Sequence, residues 1–285
     1  MTDRQNNNEQ ITTLLIDEGY LTNEQALHPF ALTDLLIEFS GLTNQPILHF
    51  WQLEKAMILG MKDLRLPFLE SGLSSLKESG YHYLVRNSGG LGVIADSGIL
   101  NVSLILPNPP NKKLSIEEGY QKMWHWIKTT YPQKEIDAFE IGNSYCPGTF
   151  DLSIHQKKFA GISQRRIKNG LAIMVYLSVN GDQLARGKIV RQFYQASLKK
   201  QFGEKTTDYP AVDPMVMSTL EALIEKPLTI DEVKKNLIDK WNSSQTSKLK
   251  EQCADQLVTT AWFKDKWPTQ LDKMHQRNKQ LERSH

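Results

Sequence analysis

The sequence predicts an α/β (α+β) chain whose mixed, mostly antiparallel sheet is flanked by helices. Three observations carry that prediction. Strand-like runs dominate the middle of the chain, and helical patterns flank them. Short polar turns, His155-Gln156 and Lys168-Asn169-Gly170, join consecutive strand-like runs as antiparallel neighbours require. Leu171 to Val179 is one continuous apolar run, the pattern of a central strand buried on both faces.

In chain order, Met1 to Asn8 is polar and expected to fray. A helix can start at Pro29, the favoured first position, and stop before Gly41, the favoured C′ residue. Phe30, Leu32, Leu35, Leu36 and Phe39 give it a broad apolar face. Two short strands follow, Ile47 to Trp51 and Ala56 to Met61. Pro67 opens a helix that carries Leu69, Leu73 and Leu76 and ends at Gly80. His82 to Leu106 reads as strand, glycine-rich loop, strand, closed by Asn108, Pro109 and Pro110. Ser115 with Glu118 is a capping-box pattern for a helix through Trp126. Asp182 caps a helix bearing Ile189, Val190, Phe193 and Leu198. Beyond Gln201 short helical patterns alternate with polar turns, and Thr229 with Glu232 forms a second capping box. The tail from Lys264 is charged and reads as extended or helical on the surface.

Composition excludes several function classes. A net charge of +2 is too small for a nucleic-acid footprint. The two cysteines are far apart, so they form neither a disulfide framework nor a zinc site. The polar N-terminus lacks the apolar core of a signal peptide, and no apolar run reaches the length of a membrane span. The expectation is a soluble cytoplasmic protein. No His-x-x-x-His or His-Glu-x-x-His spacing occurs, so no metal is predicted.

Chemistry concentrates between Tyr145 and Arg166. Cys146 sits in a Cys-Pro-Gly turn. Phe150, Leu152 and Ile154 alternate with Asp151 and Ser153 as a strand, and a second strand returns through Lys158, Phe159 and Gly161. Such a hairpin brings Lys158 back towards Cys146. An ammonium beside a cysteine enlarges its thiolate fraction, which a nucleophilic acyl-transfer site needs. A lone cysteine is most often a small buried apolar residue, but turn residues flank Cys146 rather than a periodic apolar face. Cys253, in Lys-Glu-Gln-Cys-Ala-Asp, fits the inert reading better.

The loop Arg86-Asn87-Ser88-Gly89-Gly90-Leu91-Gly92 is the second constellation. Its glycines let backbone approach a ligand, and successive N–H groups can cradle an anion or oxyanion. It is neither a Walker A loop nor a dinucleotide fingerprint, and a plain turn also explains it. Pro147 has no N–H, so an oxyanion formed at Cys146 needs other donors. The candidates are the Lys158 ammonium, the Gly148 N–H and the loop near Gly89. His82 precedes the glycine loop and His155 lies in the hairpin turn, and a Cys–His dyad is the less expected alternative to Lys158. Asp96 and Asp151 read as structural turn residues.

Arg86-Asn-Ser-Gly-Gly90 resembles the Arg-x-Ser-Gly-Gly signature of the biotin/lipoate protein ligase and octanoyltransferase superfamily. Lys158-Phe-Ala-Gly-Ile-Ser163 resembles its Lys-hydrophobic-x-Gly-x-Ala/Ser motif. With Ser-Tyr-Cys-Pro-Gly and Asp-Leu-Ser added, the pattern is similar to the branch that moves octanoyl groups from the glycine cleavage H protein. The resemblance spans roughly Pro46 to Leu198. Asn87 stands where octanoyltransferases that use acyl carrier protein have a second arginine. The ATP-dependent ligases share the lysine motif but need no cysteine at the position of Cys146.

The resemblance implies a class II synthetase-like catalytic domain over residues 29–200. Residues 1–28 are then a polar N-terminal segment, and 201–285 a helical extension packed on the domain. It implies an octanoyl or lipoyl group held as a thioester on Cys146, with Lys158 as the second catalytic residue and no cofactor. The group passes from the H protein to the lipoyl-domain lysine of 2-oxoacid dehydrogenase E2 subunits. Arg86, Ser88, Gly89, Gly90, Gly148, Gly161, Ile162 and Ser163 are the expected substrate-binding set. An octanoyl-[acyl carrier protein]-dependent transferase, an ATP-dependent lipoate ligase and a silent carrier-binding protein are the alternatives. Lys157, Arg165, Arg166 and Lys168 cluster past the hairpin and are expected either to read the acidic carrier domains of this family's pathway or to form a plain solvated face.

Overall fold

The computed structural model describes residues 12–244 and 248–282. From the N-terminus run β1 (Thr12–Leu21), α1 (His28–Thr43), β2 (Ile47–Leu53), β3 (Lys55–Leu59), α2 (Leu69–Glu78), β4 (His82–Val85), β5 (Val93–Asp96) and β6 (Ile99–Pro107). Then come α3 (Ile116–Thr130), β7 (Asp137–Ala138), β8 (Asp151–Ile154), β9 (Lys157–Ile167), β10 (Gly170–Ser178) and α4 (Gln183–Leu198). The chain closes with α5 (Leu220–Ile224), α6 (Ile230–Ser244), β11 (Lys248–Glu251), α7 (Ala254–Thr259), α8 (Ala261–Lys264) and α9 (Trp267–Glu282).

The large sheet has the order β11-β1-β2-β6-β10-β9-β8-β7, and a small sheet has the order β4-β3-β5. From β2 to β7 every neighbouring pair of the large sheet is antiparallel, and β1 lies parallel to both β2 and β11. The apolar run in β10 is central as its pattern predicts, between β6 and β9. Both predicted capping boxes form. Ser115 Oγ accepts from the Glu118 N–H at 3.1 Å, and Thr229 Oγ1 from the Glu232 N–H at 3.2 Å.

Several local expectations change. The opening polar residues lie outside the described residues, but Thr12–Leu21, inside the segment expected to be polar, is a strand. Leu14, Leu15 and Ile16 are buried there, on the two faces of the sheet. The run after the glycine loop is two strands. It turns at Ser97 and Gly98, so β5 completes the small sheet and β6 enters the large one. The charged tail forms α9, which buries Met274 and Leu281 and pairs Asn278 with both backbone groups of Val85.

The first helix also runs past Gly41 to Thr43. Gly41 is not a helix end. It is where α1 crosses the β9–β10 turn: a Cβ on Gly41 would lie 2.6 Å from the Asn169 carbonyl carbon, and one on Gly170 only 1.9 Å from Ile37 O. Gly170→Ala is therefore expected to destabilise the fold by about 1–3 kcal/mol, as overpacking does. Thermal unfolding reads it as a lower Tm, and an unchanged Tm would show that α1 lifts freely.

Candidate active site

The β8–β9 hairpin turns through His155 and Gln156, both with positive φ (49° and 59°), the two-residue geometry that suits the twist of paired strands. Its register shifts once. Leu152 faces Ala160, but Ser153 faces Lys158, leaving Phe159 as an extra residue on β9. A bulge of this kind re-aims a side chain. It puts Lys158 on the same face as Gly161, three residues on, where a regular strand would place it opposite.

Lys158 is 5 % exposed, and its Nζ has four oxygen neighbours. They are Ser144 Oγ (3.1 Å), Tyr145 O (3.1 Å), Cys146 O (2.9 Å) and Asp151 Oδ1 (2.9 Å). Asp151, 1 % exposed, accepts the Ile141 and Gly148 N–H groups on its other oxygen, each at 3.2 Å. Burial pushes its carboxyl up, against the pull of Lys158 and these two donors. The nest holds Cys146 at φ 48°, a left-handed conformation that side-chain-bearing residues adopt at a cost. The preceding Tyr145 is pinned from inside the core, its hydroxyl 2.7 Å from that of Tyr176 and 2.8 Å from Gln183 Nε2.

The sulfur faces the glycine loop. Leu91 N–H donates to Cys146 Sγ at 3.2 Å, and Arg86 Nη2 lies 3.6 Å from it. Arg86 laces the loop together, donating to Gly89 O at 3.1 and 2.8 Å and to Leu91 O at 2.9 Å. Behind the loop, Asp63 accepts from Gly60 N–H (2.8 Å) and Tyr194 OH (2.9 Å), and that hydroxyl accepts from Gly92 N–H (3.1 Å). Burial pushes the Asp63 carboxyl up to about 6. Gly90 has φ 94°, and a Cβ there would lie 2.5 Å from Arg86 Nη2 and 2.9 Å from Sγ. Gly90→Ala is expected to slow acylation of Cys146 about 10²-fold, the cost of a displacement of about 1 Å at a reacting centre. Stopped-flow acylation by a small thioester measures it, and a wild-type rate would show that the loop yields.

A cavity of about 340 Å³ opens at Cys146 between the large sheet, α1 and the small sheet. Arg86, Ser88, Gly89, Gly90, Gly148, Gly161, Ile162 and Ser163 all border it, as do Cys146 and Lys158. Residues 25–242 match the family described as Lipoyl protein ligase A/B catalytic domain.

The chain belongs to that family.

Its curated relatives include an octanoyl-[GcvH]:protein N-octanoyltransferase of Oceanobacillus iheyensis, 44 % identical over 66 % of this chain and 67 % of its own. The enzyme of that name in Macrococcus caseolyticus is 41 % identical over 75 % and 77 %. A lipoyl-[GcvH]:protein N-lipoyltransferase of Listeria monocytogenes is 43 % identical over 64 % and 65 %. Among solved structures, the bipartite lipoate protein ligase of Thermoplasma acidophilum superposes with a TM-score of 0.68 at 19 % identity, covering 95 % of this chain and 97 % of its own. Lipoate-protein ligase A bound with ATP gives 0.67 at 18 %, over 93 % and 95 %. These likenesses establish the lipoate-ligase fold.

Against the family motifs, the structure moves some expected contacts. Lys158 touches the backbone that carries Cys146 and not its sulfur. The Gly148 N–H is taken by Asp151, so it is not a spare oxyanion donor. Asp151, read as a turn residue, is the counter-charge of Lys158. The expected carrier-reading cations are engaged internally. Arg165 pairs with Asp34 and donates to Asn87 O (2.7 Å), and Arg166 donates to Leu114 O (2.7 Å) and Ser115 O (2.9 Å). Lys168 pairs with Glu38 at 2.6 Å, and Lys157 donates to Met215 O. His82 and His155 do not border the cavity, and Cys253 is exposed just before α7. Among the described residues no cluster of His, Cys, Asp or Glu could hold a metal, and no helix is long and apolar enough to cross a membrane.

Proposed function

We propose that the protein is a cysteine-dependent amidotransferase of protein lipoylation. It takes an octanoyl or lipoyl group from a lysine amide of the glycine cleavage H protein. It passes the group through a thioester on Cys146 to the lipoyl-domain lysine of E2 subunits. The observation that carries this reading is Cys146 Sγ at the mouth of a cavity, facing the Leu91 N–H and Arg86. The relatives' names supply the carrier. Two free cysteines accord with a reducing compartment, and we place the transfer in the cytoplasm.

The chemistry balances without a cofactor. The thiolate adds to the amide carbonyl, the lysine amine leaves with a proton, and a thioester remains. An acceptor amine then adds to the thioester, loses its proton, and expels the thiolate. Amide becomes amide, so no ATP is spent. The oxyanion formed at each step needs donors, and the Gly89 and Gly90 N–H groups meet no acceptor among the described residues. They border the same cavity as Cys146, and we assign the oxyanion to them. Lys158 holds the turn and places a positive charge beneath it. Burial of each acyl methylene contributes about 0.8 kcal/mol and keeps water from the thioester.

Intact mass of the protein after mixing with octanoylated H protein tests the reading. One octanoyl group gained without ATP, and lost again on adding a lipoyl domain, is the expected result. A requirement for ATP would favour a ligase, octanoyl gained from acyl carrier protein alone the other transferase, and no adduct from any donor a carrier-binding protein.

A further inference from the structure

The cavity behind Cys146 follows one row of residues across the large sheet. Asp151 of β8 pairs with Gly161 of β9, and Gly161 with Tyr176 of β10. Tyr176 pairs with Asn101 of β6, and Asn101 with Trp51 of β2. Directly paired residues project from one face of a sheet, and all five border the cavity. Asp151 marks the nucleophile's end. Trp51, packed edge-on against Phe30 with ring centroids 5.2 Å apart, stands at the other. Between the rings of Tyr176 and Trp51 sits a primary amide. Asn101 is 8 % exposed, and its Nδ2 has no hydrogen-bond partner among the described residues. Native interiors leave few such groups unpaired, and a ligand atom is one way to meet them.

The distances suit one part of an acyl chain. Neighbouring strands lie about 4.8 Å apart, so Asn101 stands about 10 Å from Gly161, two strands away. An extended chain advances about 3.5 Å per three bonds, so the seven carbon–carbon bonds of an eight-carbon acyl group span about 8 Å. Gly161 adjoins Lys158, whose Nζ would lie 3.8 Å from a Cβ there and holds Cys146 O at 2.9 Å. An acyl group whose carbonyl enters the slot at this end thus stops beside Asn101. In octanoyl that end is a methyl group with nothing to offer an amide. In lipoyl it is the dithiolane ring, with sulfur on the sixth and eighth carbons, and divalent sulfur is a weak acceptor.

We propose that Asn101 is a specificity-determining residue that donates to the dithiolane sulfur, so that the slot favours lipoyl over octanoyl. The proposal rests on the reading of the cavity as the acyl slot. Calorimetric titration of the full chain with lipoate and with octanoate tests it without any transfer step. Acylation of Cys146 by the N-acetylcysteamine thioesters of the two acids, followed by intact mass, tests the transfer reading separately. Wild-type protein should bind lipoate more tightly than octanoate. Asn101→Leu should bind octanoate more tightly and lipoate more weakly, moving the ratio of the two Kd values by about tenfold, as expected when a site loses the donor its ligand needs. Asn101→Ala, which cannot overfill the slot, should move the ratio the same way. A ratio within about twofold of wild type in both folded variants is inside the scatter of a neutral change and overturns the proposal. So does equal weakening of both acids, or failure of both variants to fold, either of which would mark Asn101 as a structural group.

Discussion

Cys146→Ala is expected to abolish acyl transfer while the protein keeps its fold and its Tm. The sulfur stands at the cavity mouth with two donors facing it, Leu91 N–H at 3.2 Å and Arg86 Nη2 at 3.6 Å, and is the nucleophile of the proposed transfer. Alanine keeps a Cβ, so the left-handed backbone at this position costs as much as before. The nest formed by Lys158, Asp151, Ser144 and the two carbonyls does not involve the sulfur, so it survives the change. Transfer from octanoylated H protein to a lipoyl domain should fall below about one-thousandth of wild type, the scale set by loss of covalent catalysis. Activity above that level would assign the thioester elsewhere. Cys253→Ala serves as the control. That thiol is exposed and lies outside the cavity, so its loss should leave transfer at the wild-type rate.

The parts of the site legible in the sequence are those that depend on neighbours in the chain. The His155-Gln156 turn, the alternation in β8 and the Cys-Pro-Gly turn are local signals, and they bring Lys158 within 2.9 Å of the Cys146 carbonyl. What lay beyond reach depends on distant segments. The donors to the sulfur come from a loop 55 and 60 residues earlier in the chain. The bulge at Phe159 leaves no mark in the apolar alternation, yet it sets which face Lys158 takes. Gly41 carries the same residue type as a helix end, but a contact with Asn169 explains it. Likewise Arg165 reads as a free surface cation until Asp34, 131 residues earlier, is placed beside it. The apolar run Leu14-Leu15-Ile16 was the one available sign of β1, and its polar flanks masked it.

Lys158→Met is expected to reduce both stability and transfer, and the two losses can be separated. Methionine keeps much of the length and removes the charge. It leaves Asp151 in the core without its cation and strips a donor from Ser144 and the carbonyls of Tyr145 and Cys146. Removing one partner of a buried pair costs about 3–5 kcal/mol, which thermal unfolding reads directly. The pH dependence has a definite sign. Burial already raises the Asp151 carboxyl and Lys158 opposes that shift, so the variant raises it further. A carboxyl raised in the folded state favours folding below its unfolded value and loses that contribution as pH rises through the folded one. The gap in Tm between variant and wild type should therefore narrow on acidification towards the ordinary carboxyl range and widen towards neutrality. Lys158→Arg should rescue only in part, because a planar guanidinium cannot place one nitrogen among four oxygens as an ammonium does. Adding Asp151→Asn to Lys158→Met removes the unpaired charge and should restore much of the Tm. If transfer stays low in that double variant, by about 10²-fold or more as when a charge-stabilising donor is lost, the ammonium acts in the chemistry and not only in holding the turn. Recovery of transfer together with Tm would reduce Lys158 to a structural clamp. Wild-type Tm and transfer in Lys158→Met would refute both roles.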